Sequence, residues 1–332
     1  MTPGIKLLQL FDWDSPAEKA RLREELAAGL LRPQAAIAPK FFYDALGSRL
    51  FEAITELPEY YPTRTEAAIF DEHLPEIRRI LGADFSLVDL GCGSCAKAGK
   101  LFHAGLLPAR YVAVDISVDF LRDSLQNLKR ELPAIDMMGL GLDFTDELRL
   151  PDELPLERRM FFYPGSSIGN FSPPEARAFL KRLAGQMDAT GGLLIGVDLI
   201  KDKAVLDAAY DDALGVTAAF NRNLLRHVNA RLDANFNIGD WRHVAFYNES
   251  DARIEMHLEA RHGVDVSWPD DATRRTRHFA AGERIHTENS CKYSPDGFRA
   301  LLSEAGFTDI RMWTDPRAWF ALFFARQGST RT

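Results

Sequence analysis

The sequence predicts an α/β fold, a parallel sheet covered by helices on both faces, with a second lobe inserted late in the chain. Three observations carry this. Between residues 86 and 200, five short apolar runs alternate with helical segments, the pattern of strands buried on both faces. The first run ends in a glycine turn, Asp89-Leu90-Gly91-Cys92-Gly93-Ser94. Residues 201–285 then break the alternation. At about 100–200 residues per domain, a chain of 332 residues has room for two domains or for one carrying an insertion.

Residues 15–31 read as a helix: Ser15 caps, Pro16 suits the first turn, and apolar residues recur at helical spacing. The stretch 39–66 (PKFFYDALGSRLFEAITELPEYYPTRTE) reads as a helix running into an ordered loop, because prolines and tyrosines crowd its end. SLVDLG (86–91), RYVAVDIS (110–117), MMGLGLDF (137–144), MFFYPG (160–165) and GGLLIGVDLI (191–200) are the five strands; 117–131 and 174–188 are helices between them. Residues 203–233 read as one long helical stretch, followed by strand candidates at 243–249 and 253–261. Helix 294–306 and the paired strands FTDIRMW and AWFALFFAR close the chain.

Composition excludes several classes. With 46% hydrophobic and 27% charged residues the chain is an ordinary soluble globular protein. A net charge of −8 disfavours a nucleic-acid partner. No apolar run approaches the roughly 20 residues of a membrane span, and the N-terminal MTPGIKLLQLFDWDS turns acidic too soon for a signal peptide. Three cysteines, an odd number, make no disulfide framework. A cytoplasmic protein is expected, and a monomer.

The glycine turn is the first chemical signal. Glycine permits a tight turn and close approach of the backbone to a ligand. Asp115 ends the second strand, where an acid of a doubly wound sheet bonds ribose hydroxyls. Asp143 and Phe144 end the third, where an acid can accept from an adenine amino group and an aromatic ring can pack on the base. A dinucleotide fingerprint prefers G-x-G-x-x-G, and Ala96 stands at its third position. Cys92 and Cys95 form a C-x-x-C that reads either as a redox pair or half a zinc site, or as two small side chains in a turn. No second pair accompanies it, and His257 and His262 are five apart, poor spacing for one metal, so no metal site is expected.

The series of acid with Gly-x-Gly, acid, and acid-Phe resembles class I S-adenosylmethionine methyltransferases. Further segments, PKFFYDALGSRLFEAITELPEYYPTRTE (39–66), YPGSSIGNF (163–171), DLIKDKAVLDAAYDDALGVTAAFNRNLL (198–225), RIEMHLEAR (253–261) and HTENSCKY (286–293), resemble the histidine N-α-methyltransferases of ergothioneine biosynthesis. The likeness runs from about residue 39 to the end. It implies a Rossmann-like seven-stranded sheet with a discontinuous second α+β substrate domain. The cofactor-binding methyltransferase domain would be 62–200 plus 289–332, and the substrate-binding domain 1–61 plus 201–288.

The same resemblance implies site residues. Gly91, Gly93, Lys97, Asp115, Asp143 and Phe144 match cofactor positions, the cofactor being S-adenosyl-L-methionine. Tyr43, Phe51, Tyr60, Gly165, Asn170, Tyr210, Met256, Glu288 and Ser290 match the substrate pocket; Tyr43, Tyr60, Asn170 and Tyr210 carry the catalytic end. Asn170 and Tyr210 would hold the α-amino and carboxylate groups of L-histidine, and Glu288 and Ser290 its imidazole. Where family members commonly carry a hydroxyl and a glutamate, this chain has Cys95 and Ala96.

These residue types suit the chemistry. Methyl transfer needs a nitrogen lone pair in line with a sulfonium carbon, and near-attack placement supplies up to about 7–11 kcal/mol in ideal cases. Asn170 offers donor and acceptor together. Tyr60 and Tyr210 offer hydroxyls and aromatic faces; the plainer reading of a tyrosine is a packing residue with a satisfied hydroxyl. Glu288 and Ser290, two apart on an extended segment, point to one side and can meet both ring nitrogens. The plain alternative for Glu288 is a salt bridge to Lys292 or Arg284. The functional expectation is trimethylation of histidine to hercynine. The alternatives are N-methylation of another amino acid or aromatic amine, a cofactor-binding scaffold with a dead site, and, more distantly, a nicotinamide-dependent oxidoreductase.

Overall fold

The computed structural model describes residues 5–145, 148, 150–270 and 273–328. The chain divides into two compact units. The first comprises the described residues of Met1–Phe11, Pro62–Ile200 and Lys292–Thr332; the second comprises Asp12–Tyr61 and Lys201–Cys291.

The first unit is built on one sheet. Its strands are β1 (Lys6–Gln9), β2 (Ser86–Leu90), β3 (Arg110–Asp115), β4 (Asp136–Gly141), β5 (Arg159–Tyr163), β6 (Gly192–Asp198), β12 (Phe307–Thr314) and β13 (Phe320–Gln327). They run in the order β1-β4-β3-β2-β5-β6-β13-β12, all in one direction except β13, which lies antiparallel to both its neighbours. Strand order reverses outward from β2, so the crevice at the carboxyl ends of β2 and β5 is the switch point where such sheets bind ligands.

Alternate residues of each strand feed two cores. Val88, Val112, Phe161 and Ile195 pack on one face with Phe179, Leu180 and Leu183 of α6 (Pro173–Ala184) and Phe298 and Leu302 of α9 (Pro295–Glu304). Leu87, Tyr111, Phe162 and Leu194 pack on the other. Their partners are α3 (Tyr61–Leu81), α4 (Ala96–His103) and α5 (Val118–Glu131), which contributes Leu121, Leu125 and Leu128. Caps start these helices: Ser172 and Glu175 form a reciprocal capping box at α6, and Ser294 Oγ accepts from Gly297 N–H at α9.

Among the described residues the sheet has eight strands where seven were expected. The extra one, β1, is four residues at the sheet edge, paired in parallel with β4. KLLQ is half-exposed and too short for a periodic signal, and it places residues 5–11 with the first unit, whereas the sequence reading grouped 1–61 together. The far boundary also shifts, because β11 (Arg284–Cys291) pairs with strand β8 (Arg253–Ala260) of the second unit as far as Cys291, with one register shift between His286 and Glu288. Residues 61–81 form a helix with Pro75 inside, so the expected ordered loop is confined to 56–60.

The second unit carries α1 (Pro16–Leu30), α2 (Ala45–Thr55), α7 (Lys203–Tyr210) and α8 (Val216–Leu232). Its three-stranded sheet has the order β11-β8-β7 (β7, Trp241–Asn248), beside a hairpin of β9 (Val264–Asp270) and β10 (Thr273–Phe279). Helix α8 packs against α1 and α2. The expected single helix over 203–233 is two. Asp211 ends α7, Gly215 has φ +76°, and the Asp212 carboxylate accepts from the N–H groups of Val216 and Thr217 to start α8. No helix among the described residues is long and apolar enough to cross a membrane.

Candidate active site

In the first unit, six of the candidate residues gather at the carboxyl ends of β2, β3 and β4. Gly91 and Gly93 follow β2 with φ of +69° and +53°, and the N–H groups of Gly91 and Cys92 both reach Val114 O. Asp115, at the tip of β3, accepts from Gly93 N–H through Oδ2 and from Ser117 N–H through Oδ1, both at 2.9 Å. Burial pushes its carboxyl up, and these backbone donors oppose the rise. A Cβ on Gly93 would meet no atom within 4 Å, so the turn borders open space. A Cβ on Gly91 would stand 3.6 Å from the Phe144 ring. Asp143 accepts from Thr145 N–H and Oγ1, and the Phe144 ring meets Tyr163 edge-on at 5.9 Å.

Asp89, the acid that opens the turn, has one oxygen bonded by Tyr111 Oη at 2.7 Å and the other buried without a partner. Burial pushes its carboxyl up to about 7, against the hydrogen bond from Tyr111. Cys92 and Cys95 are free thiols, and burial raises the Cys92 thiol well above its ordinary range.

Lys97 lies in the first turn of α4, and Gly165 follows β5 with φ +76°. Ser166, also in the left-handed region, accepts from Asp198 N–H at 2.8 Å and fixes the turn that ends in the short 3-10 helix Ser167–Asn170. Asp198 in turn pairs with Lys292 at 2.7 Å, both fully buried.

In the second unit a chain of aromatic rings links the other candidates. Tyr43 meets Phe51 edge-on at 6.0 Å, Phe51 meets Tyr60 at 6.3 Å, and Tyr60 meets Tyr210 at 6.2 Å. Phe220 of α8 backs Tyr43 and Phe51 at 6.0 Å. Tyr210 ends α7 and reaches Ser290 on β11. Glu288, on the same face of that strand two residues away, stands opposite Met256 of β8. Glu288, Ser290, Met256, Tyr60 and Tyr210 are all buried. Lys292 pairs with Asp198, and Arg284 with Glu259.

Sequence reading missed the braces behind this wall. Asn221 donates to His243 Nδ1 at 2.8 Å, leaving Nε2–H to donate to Tyr210 O at 2.9 Å. Burial holds the His243 imidazole below its ordinary range, hence neutral. Glu66 was missed as well. It sits inside a motif quoted from the sequence, but only the fold reveals its burial and partners.

A doubly wound sheet with an acid-flanked glycine cradle at its switch point, joined to a discontinuous second unit, defines a class I S-adenosylmethionine-dependent methyltransferase. The chain belongs to the histidine-specific, S-adenosylmethionine-dependent methyltransferase family, whose profile matches residues 22–327. It is 42% identical over 316 residues to the histidine N-α-methyltransferase of Mycolicibacterium smegmatis, covering 94% of this chain and 96% of that one. It is 41% identical over 311 residues to the Mycobacterium tuberculosis protein of the same name, covering 92% and 94%. Ergothioneine biosynthesis protein 1 of Neurospora crassa is 30% identical over 280 residues, covering 82% of this chain and 31% of that longer protein.

Proposed function

We propose that this enzyme transfers methyl groups from S-adenosylmethionine to the α-amino nitrogen of free L-histidine, three times, producing hercynine for ergothioneine synthesis. The observation that carries the choice of substrate is the Glu288–Ser290 pair. A buried carboxylate and a buried hydroxyl share one strand face behind an aromatic wall. An imidazole always has at least one donor nitrogen, so the pair would satisfy both of its nitrogens. An indole ring offers one nitrogen and a phenyl ring none, so neither meets both side chains.

The cradle residues fit the cofactor. Gly93 opens onto free space, Asp115 presents its carboxylate beside that space and can accept from ribose hydroxyls as well as from backbone N–H groups, and one oxygen of Asp89 is buried without a partner. Asp143 and Phe144 would take the adenine, and Lys97 the one anionic group of the cofactor, its carboxylate. When bound, S-adenosylmethionine supplies a methyl group on a sulfonium that an amine lone pair displaces in line. Asn170 would orient the substrate amine and carboxylate. Tyr43, Tyr60 and Tyr210 would shelter the ammonium that accumulates, each favourable face worth about 0.5–2 kcal/mol. Gly165 and Phe51 would shape the space around the substrate, and Met256 of β8 would line the pocket beside its ring. The reading extends to a monomer working in the cytoplasm on a free small molecule, consistent with the net charge of −8.

A calorimetric screen of free amino acids in the presence of S-adenosylhomocysteine tests this. Histidine should bind at least about tenfold more tightly than tryptophan, phenylalanine or tyrosine. Preference for tryptophan would move the enzyme to another substrate of the same family.

A further inference from the structure

Glu66 lies on α3 and is 1% exposed. Its carboxylate occupies a hole in the sheet left by Gly196 of β6, where a Cβ would stand 2.1 Å from Oε1. Oε1 accepts from Gly165 N–H at 2.8 Å, and Oε2 meets Lys97 Nζ at 2.5 Å. A Cβ on Gly165 would stand 2.9 Å from that same ammonium. One buried carboxylate therefore ties the first turn of α4 to the start of the turn carrying Asn170, and two glycines are spent making room for it.

A buried carboxylate is costly unless paired, and a hydrophobic side chain of similar volume would fill the hole at least as stably. Packing alone does not account for Glu66. The two partners also differ in exposure: the Lys97 side chain is 37% exposed and that of Glu66 1%. The ammonium is anchored on one side and open on the other. A lysine is a point charge on a flexible four-carbon stem, so its direction must be set by something fixed.

We propose that Glu66 is a positioning residue for cofactor binding, aiming the Lys97 ammonium at the carboxylate of S-adenosylmethionine while holding Gly165 in register. The proposal rests on the assignment of Lys97 to the cofactor made above.

The test is a double-mutant cycle read by calorimetry with S-adenosylhomocysteine, on wild type, E66Q, K97M and the double variant. Glutamine keeps the size and an acceptor for Gly165 N–H and removes the charge. E66Q should bind about tenfold more weakly and K97M at least as weakly, and the double variant should match K97M within about twofold, because Glu66 acts through Lys97. E66Q binding like wild type, or losses that multiply in the double variant, would overturn the proposal and leave the role of Lys97 standing. K97M binding like wild type would overturn both. Should E66Q fail to fold, E66D withdraws the carboxylate by one methylene and keeps its charge. It should weaken binding in the wild-type background and not in K97M; equal losses in both would overturn the proposal.

Discussion

Tyr210 donates its phenolic hydrogen to Ser290 Oγ at 2.8 Å, joining the last residue of α7 to the middle of β11 across 80 residues of sequence. The backbone of Tyr210 is braced in turn by His243 and Asn221, so the hydroxyl of Ser290 is oriented by a series of buried hydrogen bonds. Tyr210→Phe removes the orienting donor and leaves the ring contact with Tyr60. A buried hydrogen bond of this kind is worth about 1 kcal/mol, so KM for histidine should rise about fivefold while S-adenosylhomocysteine affinity stays unchanged. Titration of each ligand by calorimetry separates the two; a matching loss for the cofactor would make the contact merely structural.

Glu288→Ala should weaken histidine binding by about 2 kcal/mol or more, roughly thirtyfold, because it strips the charged partner from the imidazole. Cofactor affinity should change little. Direct binding measurements on the purified variant decide this, and equal losses for both ligands would mean that Glu288 serves folding rather than recognition.

Gly93→Ala tests the cradle. Its φ of +53° strains any other residue by about 1–2 kcal/mol, but the methyl group would meet no protein atom within 4 Å. The variant should lose only a few degrees of Tm while binding S-adenosylhomocysteine about tenfold or more weakly, since the methyl enters the space assigned to the ligand. A folded variant with unchanged affinity would place the cofactor elsewhere.

Acid should remove the stability contributed by His257 from pH 6.5 downward, while Asp89, whose carboxyl burial pushes up to about 7, gains stability over much of the same range. His257 of β8 is buried against Phe246 and His286, with Glu255 on its Nε2, Arg284 nearby and its Nδ1 unpartnered. Burial pushes its imidazole down from 6.5 to about 4. Between those values the unfolded chain binds a proton that the folded chain does not, so stability is complete above pH 6.5 and falls as pH drops toward 4. About 1.4 kcal/mol for each unit of difference sets the loss near 3 kcal/mol. Burial lowers His227, His243 and His286 too, in the same sense. Glu255, held at about 2 by Asn248, Arg253 and His257 despite its burial, adds its own loss only below about 4.5. His257→Gln should therefore shift the difference between thermal melts at pH 7 and pH 4.5 toward greater relative stability at pH 4.5; pH slopes identical to those of the unsubstituted protein would show that His257 does not titrate this way.

The sheet of the first unit was legible because its strands are buried on both faces and read as unbroken apolar runs such as GLLIGVD. The glycine turn and the acids at the tips of β3 and β4 were legible for a related reason, since positive φ and ligand approach demand glycine at fixed places. Three features were not. Strand β1 is a short edge whose exposure hides its pairing, and β10 reads TRRTRHF because its side chains are mostly exposed. The break between α7 and α8 depends on a capping aspartate inside an otherwise helical composition. Glu66 illustrates the deeper limit: nothing local distinguishes a buried, paired glutamate on a helix from a solvated one. Only the fold brings Lys97, Gly165 and Gly196 to it.

The most direct measurement incubates the purified protein with S-adenosylmethionine and L-histidine and follows the products by mass spectrometry with fragmentation. The account predicts histidine carrying one, two and finally three added methyl groups, all on the α-amino nitrogen, with the imidazole unmodified. Methylation on the ring, or no methylated histidine while another amino acid is methylated, would contradict it.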